Sequence, residues 1–419
     1  MSWLFLAVSV WGAWFTWNAL HPAPKGKRFS VLSFAAGWLT SELALHHIAW
    51  QAIATFAFWG AGAFEHWPGR LGLLITFASW AGLVVAQRRG HAAEEELEEA
   101  LEEALGADYR ERILPELRAG LDDGIDWSRV LRPFPIKHPD VEIVKDIQFG
   151  REAAVDLKLD VYRRADRPDG CPVLFQIHGG GWVIGAKDEQ ALPLMNHMAR
   201  NGWVCVTANY RLSPHATFPD HLIDCKAALR WIRENVAGFG GDPDFVVVTG
   251  GSAGGHLAAL VALTANDPEY QPGFPDIDTS VQGCVPFYGV YDFANRNRTY
   301  PHTGLMEVLE QRVLKASPDE MPEAWDRASP IARVREDAPP AFVIHGDADT
   351  LVPVAEARHF VRALAEKTRA PLAYAELGGA QHAFEIFPSV RTLHTVNAVH
   401  RFLAWVYSEH LREKQARAA

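Results

Sequence analysis

Apolar and polar positions divide this chain into three regimes. The first ninety residues carry three long apolar stretches, Ser2 to Leu20, Phe29 to Phe64 and Leu71 to Gln87, separated by short polar breaks. From Glu94 to Leu105 the pattern changes to leucines four apart, Leu97, Leu101 and Leu105, set among glutamates. That spacing predicts a helix with a narrow apolar stripe and a solvated acidic face, a stalk or part of a cap. Beyond about residue 135 the apolar runs shorten to strand length: Val173–Ile177, Phe245–Thr249, Ala341–Ile344 and Leu372–Leu377. The second of these runs through glycines directly into a helical stretch, His256 to Val261, as in a strand–turn–helix unit of an α/β sheet.

The amino-terminal pattern predicts an all-α transmembrane region over residues 1–90. Ser2 to Leu20 has no charge and, at about 1.5 Å per residue, can cross a hydrocarbon core of roughly 30 Å. A cleaved signal peptide fits poorly, because no basic residue precedes the run and Trp11, Trp14 and Trp17 interrupt it. Nine of the fifteen tryptophans fall between Trp3 and Trp80, as expected of rings anchored at headgroup depth. Three spans are expected. Lys25, Lys27 and Arg28 follow the first and Arg88 and Arg89 the third, while Glu65 and Arg70 lie between the second and third; this charge bias puts the amino terminus outside and the rest of the chain on the cytoplasmic side of a multi-pass protein. The second stretch is too long for one simple span and contains Glu42, His46 and His47, so it is expected to begin as an interfacial helix. Glu42 is read as lying near an interface and the histidines as facing neighbouring helices; a binding site or proton relay is the alternative.

The chemistry is carried by four loops. Ser252 sits in Gly250-Gly251-Ser252-Ala253-Gly254-Gly255, where flanking glycines permit a sharp turn that presents the hydroxyl at a strand end. His178-Gly179-Gly180-Gly181-Trp182 follows the Val173–Ile177 strand and offers backbone N–H groups to a developing oxyanion, with Ala253 as a further donor. Asp347 and Asp349 follow the third strand, and His382 lies on the loop after the fourth. The chain order is Ser, Asp, His. A serine hydroxyl becomes a nucleophile when an imidazole takes its proton, and a carboxylate behind the imidazole fixes its tautomer. His178 is read as orienting the glycine loop. No metal or other cofactor is implied.

With these motifs, and with Asn209-Tyr210-Arg211-Leu212-Ser213-Pro214-His215, residues 135 to 412 resemble the α/β-hydrolase fold and, within it, the hormone-sensitive-lipase-like esterases with a His-Gly-Gly-Gly motif. The resemblance implies a mostly parallel central sheet flanked by helices, and a serine carboxylesterase that cleaves acyl esters through an acyl-enzyme. It implies Ser252 as nucleophile, Asp349 as acid and His382 as base, with Gly179, Gly180, Gly181 and Ala253 lining the oxyanion hole. Asp349 is favoured over Asp347 by the Asp-x-Leu spacing of the family. Gly251 stands where the family carries an acidic residue, and Ser213-Pro214-His215 where it carries Ala-Pro-Glu; the triad is untouched by either departure. Two segments are lid candidates, Tyr109 to Leu121, as cap helices are in the family, and residues 291–335. Ser252 to Leu257 also resembles kynurenine-formamidase-like amidases, whose oxyanion loop has an aromatic residue where this chain has Gly181. A non-catalytic receptor on the same fold is the alternative of another class; such proteins tend to lose the histidine.

Composition adds limits. The chain of 419 residues is read as a membrane region (1–90), an acidic linker (91–134), a catalytic domain (135–412) and a tail (413–419). Much of the net charge of −11 comes from the glutamate run, so it argues against nucleic acid as a partner and says little about substrate, which is read as a small or lipid-like acyl ester. Cys171, Cys205, Cys225 and Cys284 have no paired spacing and read as reduced core residues. His394, His400 and His410 fit a long amphipathic helix rather than a ligand set. Oligomeric state is left open.

Overall fold

Side-chain parity along the strands builds the core. In β3 (Cys171–Ile177), Val173, Phe175 and Ile177 enter one cluster and Leu174 the other; in β5 (Gly241–Gly251), Val246 and Val248 oppose Phe245 and Val247 in the same way. A strand buried on both faces needs helices above and below, as in parallel sheets. The computed structural model describes residues 1–23, 27–118, 120–121, 124–134, 136–152, 155–300 and 304–418. Among them eight strands form one sheet: β1 (Val141–Glu152), β2 (Val155–Arg164), β3, β4 (Val204–Ala208), β5, β6 (Gly283–Phe287), β7 (Ala341–Gly346) and β8 (Leu372–Leu377). Their order is β1-β2-β4-β3-β5-β6-β7-β8, antiparallel at β1–β2 and β2–β4 and parallel beyond.

Four helices precede the sheet: α1 (Ser2–Leu20), α2 (Lys27–Glu42), α3 (Ala44–Gly60) and α4 (Trp67–Leu105). Three short ones follow, α5 (Tyr109–Arg112), α6 (Pro115–Arg118) and α7 (Trp127–Leu131). Of the remainder, α9 (Asp220–Asn235) and α10 (Ala253–Leu263) cover one face, and α8 (Leu192–Arg200) covers the other. The short α11 (Gly304–Val308) and α12 (Pro322–Arg327) lie beside α10, where Trp325 and Leu309 join its core; α13 (Ala355–Lys367) packs on Val343, and the long α14 (Val390–Ala418) completes the α8 face. Every residue of α10 is buried, as expected for a helix apolar all round. The four cysteines are buried and unpaired, and His394 and His400 are packed inside along α14.

The amino-terminal helices differ from expectation in three ways. First, the second apolar stretch is broken at Leu43 into helices of 16 and 17 residues, so the described residues hold two helices long and apolar enough to cross a membrane, α1 and α4. Second, no break occurs at residue 90: α4 is one helix of 39 residues, and its apolar half runs straight into the acidic half. Arg88-Arg89-Gly90-His91 contains no proline, and a lone glycine costs only about 1 kcal/mol. Third, the acidic half is neither stalk nor cap, because Ala93, Leu97, Leu101 and Leu105 are buried in the core that α14 and α8 build against the sheet. Lys25 and the side chains of Lys27 and Arg28, used above to orient the first span, lie outside the described residues, as do 301–303 of one lid candidate and Ala419 of the tail.

Glu42 is not at an interface with solvent. It is buried and paired with Arg391 of α14, and it accepts a hydrogen bond from Ser389 Oγ at 2.7 Å. His47 Nδ1 accepts from Trp50 Nε1 at 3.2 Å and His46 Nε2 lies 3.3 Å from the Leu131 carbonyl, so both are engaged within the protein. Tyr109 to Leu121 does not cover Ser252 either. Its helices run along α14, with Leu114 N donating to Ser408 Oγ at 3.0 Å, at the level where the Tyr407 and Phe245 rings pack at a tilt, centroids 4.6 Å apart. Ser252 lies seven positions beyond Phe245, roughly 20 Å along the strand.

Several buried histidines make the fold acid-sensitive. Burial holds His178, His221 and His400 down to about 4 and His256 to about 3, against 6.5 for the ordinary side chain. Between those values the unfolded chain binds protons that the folded chain refuses, so stability is full above about 6.5 and falls as pH drops toward 4. Each such histidine adds a slope of up to about 1.4 kcal/mol per pH unit. Urea unfolding in detergent at pH 7, 6 and 5 is expected to show that decline; a flat profile would mean that these sites protonate freely in the folded state.

Candidate active site

The turn at Ser252 is set by backbone contacts that leave no room for side chains. Ser252 has φ 59° and ψ −121°, a conformation costly for any residue but glycine, and its N–H donates to the Phe287 carbonyl at 3.0 Å. A Cβ on Gly254 would stand 2.1 Å from the Ile177 carbonyl oxygen, so β3 and the first turn of α10 approach as closely as they do only with glycine there. The next helical bond, His256 N to Ser252 O at 3.0 Å, starts α10, and the Ser252 side chain is left half-buried at the carboxyl end of β5.

The glycine loop after β3 lies against this turn. A Cβ built on Gly179 would fall 3.2 Å from Ser252 Cβ and 2.6 Å from the Gly251 carbonyl oxygen. Gly179 itself is not a free donor: its N–H is given to Gln190 Oε1 at 2.7 Å, which removes it from the expected oxyanion set. Among the described residues the N–H groups of Gly180, Gly181 and Ala253 have no hydrogen-bond partner. Gly180 and Gly181 have φ of 116° and 60°, and the Gly180 carbonyl accepts from Val183 N and Ile184 N to close the loop. His178 backs it, stacked on Tyr210 at 4.3 Å; burial keeps its ring neutral, so its Nδ1–H donates to the Gly179 carbonyl at 2.8 Å. The departing segment Ser213-Pro214-His215 supports the same loop from beneath, with Ser213 N donating to the Trp182 carbonyl at 2.8 Å.

The expected acid and base come from neighbouring strand ends. β7 pairs with β8 through Gly346 and Leu377, which brings the loops carrying Asp349 and His382 side by side. Asp349 Oδ2 is 2.6 Å from His382 Nδ1 and 3.3 Å from His345 Nε2, while Oδ1 accepts from Leu351 N and Val352 N, both at 2.8 Å. Burial opposes the charge on Asp349, yet His382 and His345 beside it hold the carboxyl below the usual carboxylate range. Asp347 is exposed and accepts from Gly379 N at 2.6 Å, away from His382 Nδ1. Gln381 Oε1 joins the two loops, accepting from Thr350 N at 2.8 Å and His382 N at 2.9 Å. Among the described residues neither Ser252 Oγ nor His382 Nε2 has a hydrogen-bond partner, so the two are not bonded to each other here.

Sequence reasoning missed Tyr288, which wedges between the serine turn and the histidine. Its ring centroid is 4.6 Å from that of His382, its hydroxyl is bonded to the buried Glu385, and a Cβ on Gly251 would meet that hydroxyl at 2.6 Å. Glycine at 251 is thereby accounted for. Burial pushes the Glu385 carboxyl up. The available signal was position, since Tyr288 directly follows β6 at the carboxyl edge of a parallel sheet, where sites form. Gln190 and Gln381 carried no signal in the sequence.

Comparison with known proteins fits this geometry. A family model described as BD-FAE matches residues 159–364, which include the glycine loop, Ser252 and Asp349. The probable carboxylic ester hydrolase LipM of Mycobacterium tuberculosis is 40% identical over 94% of this chain and 91% of its own length. The chain belongs to this carboxylesterase family. Esterase LipQ of the same organism is 38% identical over 93% of this chain and 88% of its own. The butyrate-bound Est2 esterase of Thermogutta terrifontis superposes with a TM-score of 0.52 at 27% identity, covering 67% of this chain and 95% of that one. The carboxylesterase thus shares its fold with a solved esterase, and the likeness to LipM extends into the amino-terminal helices.

Gly251→Ala tests the wedge. The added Cβ must displace Tyr288, an overpacking cost of about 1–3 kcal/mol. A lowered Tm with kcat for ester hydrolysis down by about tenfold is expected, and wild-type values for both would show that Tyr288 moves freely.

Proposed function

We propose that this carboxylesterase is a membrane-anchored serine hydrolase working through Ser252, His382 and Asp349. The observation that carries the reading is the convergence of a strained serine turn, unpartnered N–H groups beside it, and an imidazole whose Nδ1 is held 2.6 Å from a buried carboxylate. Ser252 Oγ attacks the acyl carbonyl carbon as its proton passes to His382 Nε2. The oxyanion of the tetrahedral intermediate faces the N–H groups of Gly180, Gly181 and Ala253, each typically worth about 3 kcal/mol in such sites. His382 then protonates the departing alcohol, leaving an acyl-enzyme. Water, deprotonated by the same imidazole, attacks that ester; the carboxylic acid leaves and Ser252 regains its proton. Asp349 keeps Nδ1 protonated and stabilises the imidazolium throughout.

Membrane anchoring is supported by the way α1 and α4 meet. Small and hydroxyl residues line the contact: Thr16 Oγ1 and Ser79 Oγ are 2.7 Å apart, Thr76 Oγ1 donates to Ser9 Oγ at 3.0 Å, and a Cβ on Gly82 would strike Thr16 at 2.6 Å. Helices pack in this way in lipid, where apolar side chains have no reason to leave the surface. Trp3, Trp11 and Trp17 of α1 and Leu74 and Phe77 of α4 accordingly point outward. An anchor of this kind favours apolar or lipid-derived esters. Arg88 and Arg89, at the end of the apolar half of α4, favour a cytoplasmic catalytic domain. Protease protection in everted vesicles checks that side: a shielded carboxyl terminus would reverse it.

Full-length enzyme in detergent is expected to hydrolyse p-nitrophenyl acyl esters, with an optimum chain length that sizes the acyl pocket. Ser252→Ala should lose at least about 10³-fold in kcat and Asp349→Asn about 10²- to 10⁴-fold, judged from triads elsewhere. A Ser252→Ala enzyme that keeps its activity would refute the mechanism.

A further inference from the structure

The amino-terminal region does more than lie beside the enzyme. On α2, Ser30, Phe34, Trp38 and Glu42 are spaced four apart and share one face. The first three meet the segments that carry Asp349 and His382. The Ser30 carbonyl accepts from Thr350 Oγ1 at 3.1 Å, next to Asp349. Phe34 stands edge-on to the His382 ring, centroids 6.3 Å apart at 74°. Trp38 Nε1 donates to the Ala383 carbonyl at 2.7 Å, next to His382, and its ring stacks on Phe34 at 5.3 Å. Glu42 closes the row on Arg391 and Ser389, where α14 begins.

The His382 loop needs such support. Ala383 has φ 60°, a left-handed conformation that costs a non-glycine residue of order 1 kcal/mol or more. Its carbonyl is held by an indole from a helix some 345 positions away in the chain. From the other side Glu96 of α4 accepts from Gly378 N at 3.1 Å. Neither contact belongs to the sheet. We propose that α2 is a positioning element of the active site: through Ser30, Phe34 and Trp38 it sets where His382 and Asp349 stand relative to Ser252. The described residues of Tyr109–Leu121 and 291–335, the segments expected to act as lids, make none of these contacts.

The inference rests on the reading of Asp349 and His382 as acid and base, and the test separates the two. Trp38→Phe keeps an aromatic ring but loses the N–H donor together with part of the indole's packing; Thr350→Val is nearly isosteric and removes the hydroxyl on the partner side. Both are measured in the full chain in detergent beside Ser252→Ala and a control, Trp59→Phe, which alters an exposed ring on α3. A misplacement of about 1 Å can cost up to ~10²-fold in rate. The expected result is a fall of about tenfold or more in kcat and in the rate of labelling by a fluorophosphonate, with KM within about twofold and the control at wild-type rate. Loss of packing alone, without repositioning, would lower Tm and leave kcat of the folded fraction unchanged. Folded Trp38→Phe and Thr350→Val with wild-type kcat, beside an inactive Ser252→Ala, overturn this inference alone. An active Ser252→Ala overturns the reading of the site and this inference with it. If Trp38→Phe fails to fold, Thr350→Val decides by the same criteria.

Discussion

The buried carboxylate of Asp349 is the constraint around which the site is arranged. An ionised carboxyl away from water is tolerated only when its oxygens are fully hydrogen-bonded or paired. Its donors come from two loops: Leu351 N and Val352 N from its own, and His382 Nδ1 from the loop after the next strand, with His345 of β7 alongside. Meeting that demand fixes the distance between the loops, and so the place of the imidazole. The β7–β8 register brings the loops to the same edge, and Gln381 of the His382 loop ties them by accepting from Thr350 N.

The serine side is governed by a different force, steric closeness. β3, β5 and α10 approach until only glycine fits between them, and the strain at Ser252 is held by that packing. Tyr288 fills the remaining space between turn and imidazole, which explains why this chain has glycine before Ser252. Strain on one side and a buried charge on the other are thus tied through one aromatic ring.

The amino-terminal helices join the two halves of the molecule by polar contacts rather than by an apolar seam alone. Trp38 with the Ala383 carbonyl and Glu96 with Gly378 reach the segment between β8 and α14, and Glu42 with Arg391 reaches the first turn of α14. Meanwhile the outward faces of α1, α3 and α4 stay apolar. An apolar outward face and a polar face that holds the His382 loop impose opposite chemistry on one helical layer.

Short-range pattern made much of this legible. Short continuous apolar runs marked four of the strands, glycine spacing marked the turn at Ser252 and the loop after β3, and a carboxylate and a histidine after successive strands stood where a parallel sheet places its chemistry. These features are local, and local sterics and hydrogen bonding decide them. The choice between Asp347 and Asp349 could be made from family spacing, and the geometry puts Asp349 against His382. What the sequence by itself could not decide were contacts between distant segments. That Gly179 spends its N–H on Gln190, that Glu42 lies buried on Arg391, that the acidic half of α4 is core and that α2 rather than the expected lids reaches the histidine all depend on which surfaces meet once the helices pack. Pairings across some 300 residues leave no periodicity in either partner, because each side chain is ordinary in its own neighbourhood and acquires its role only from the other.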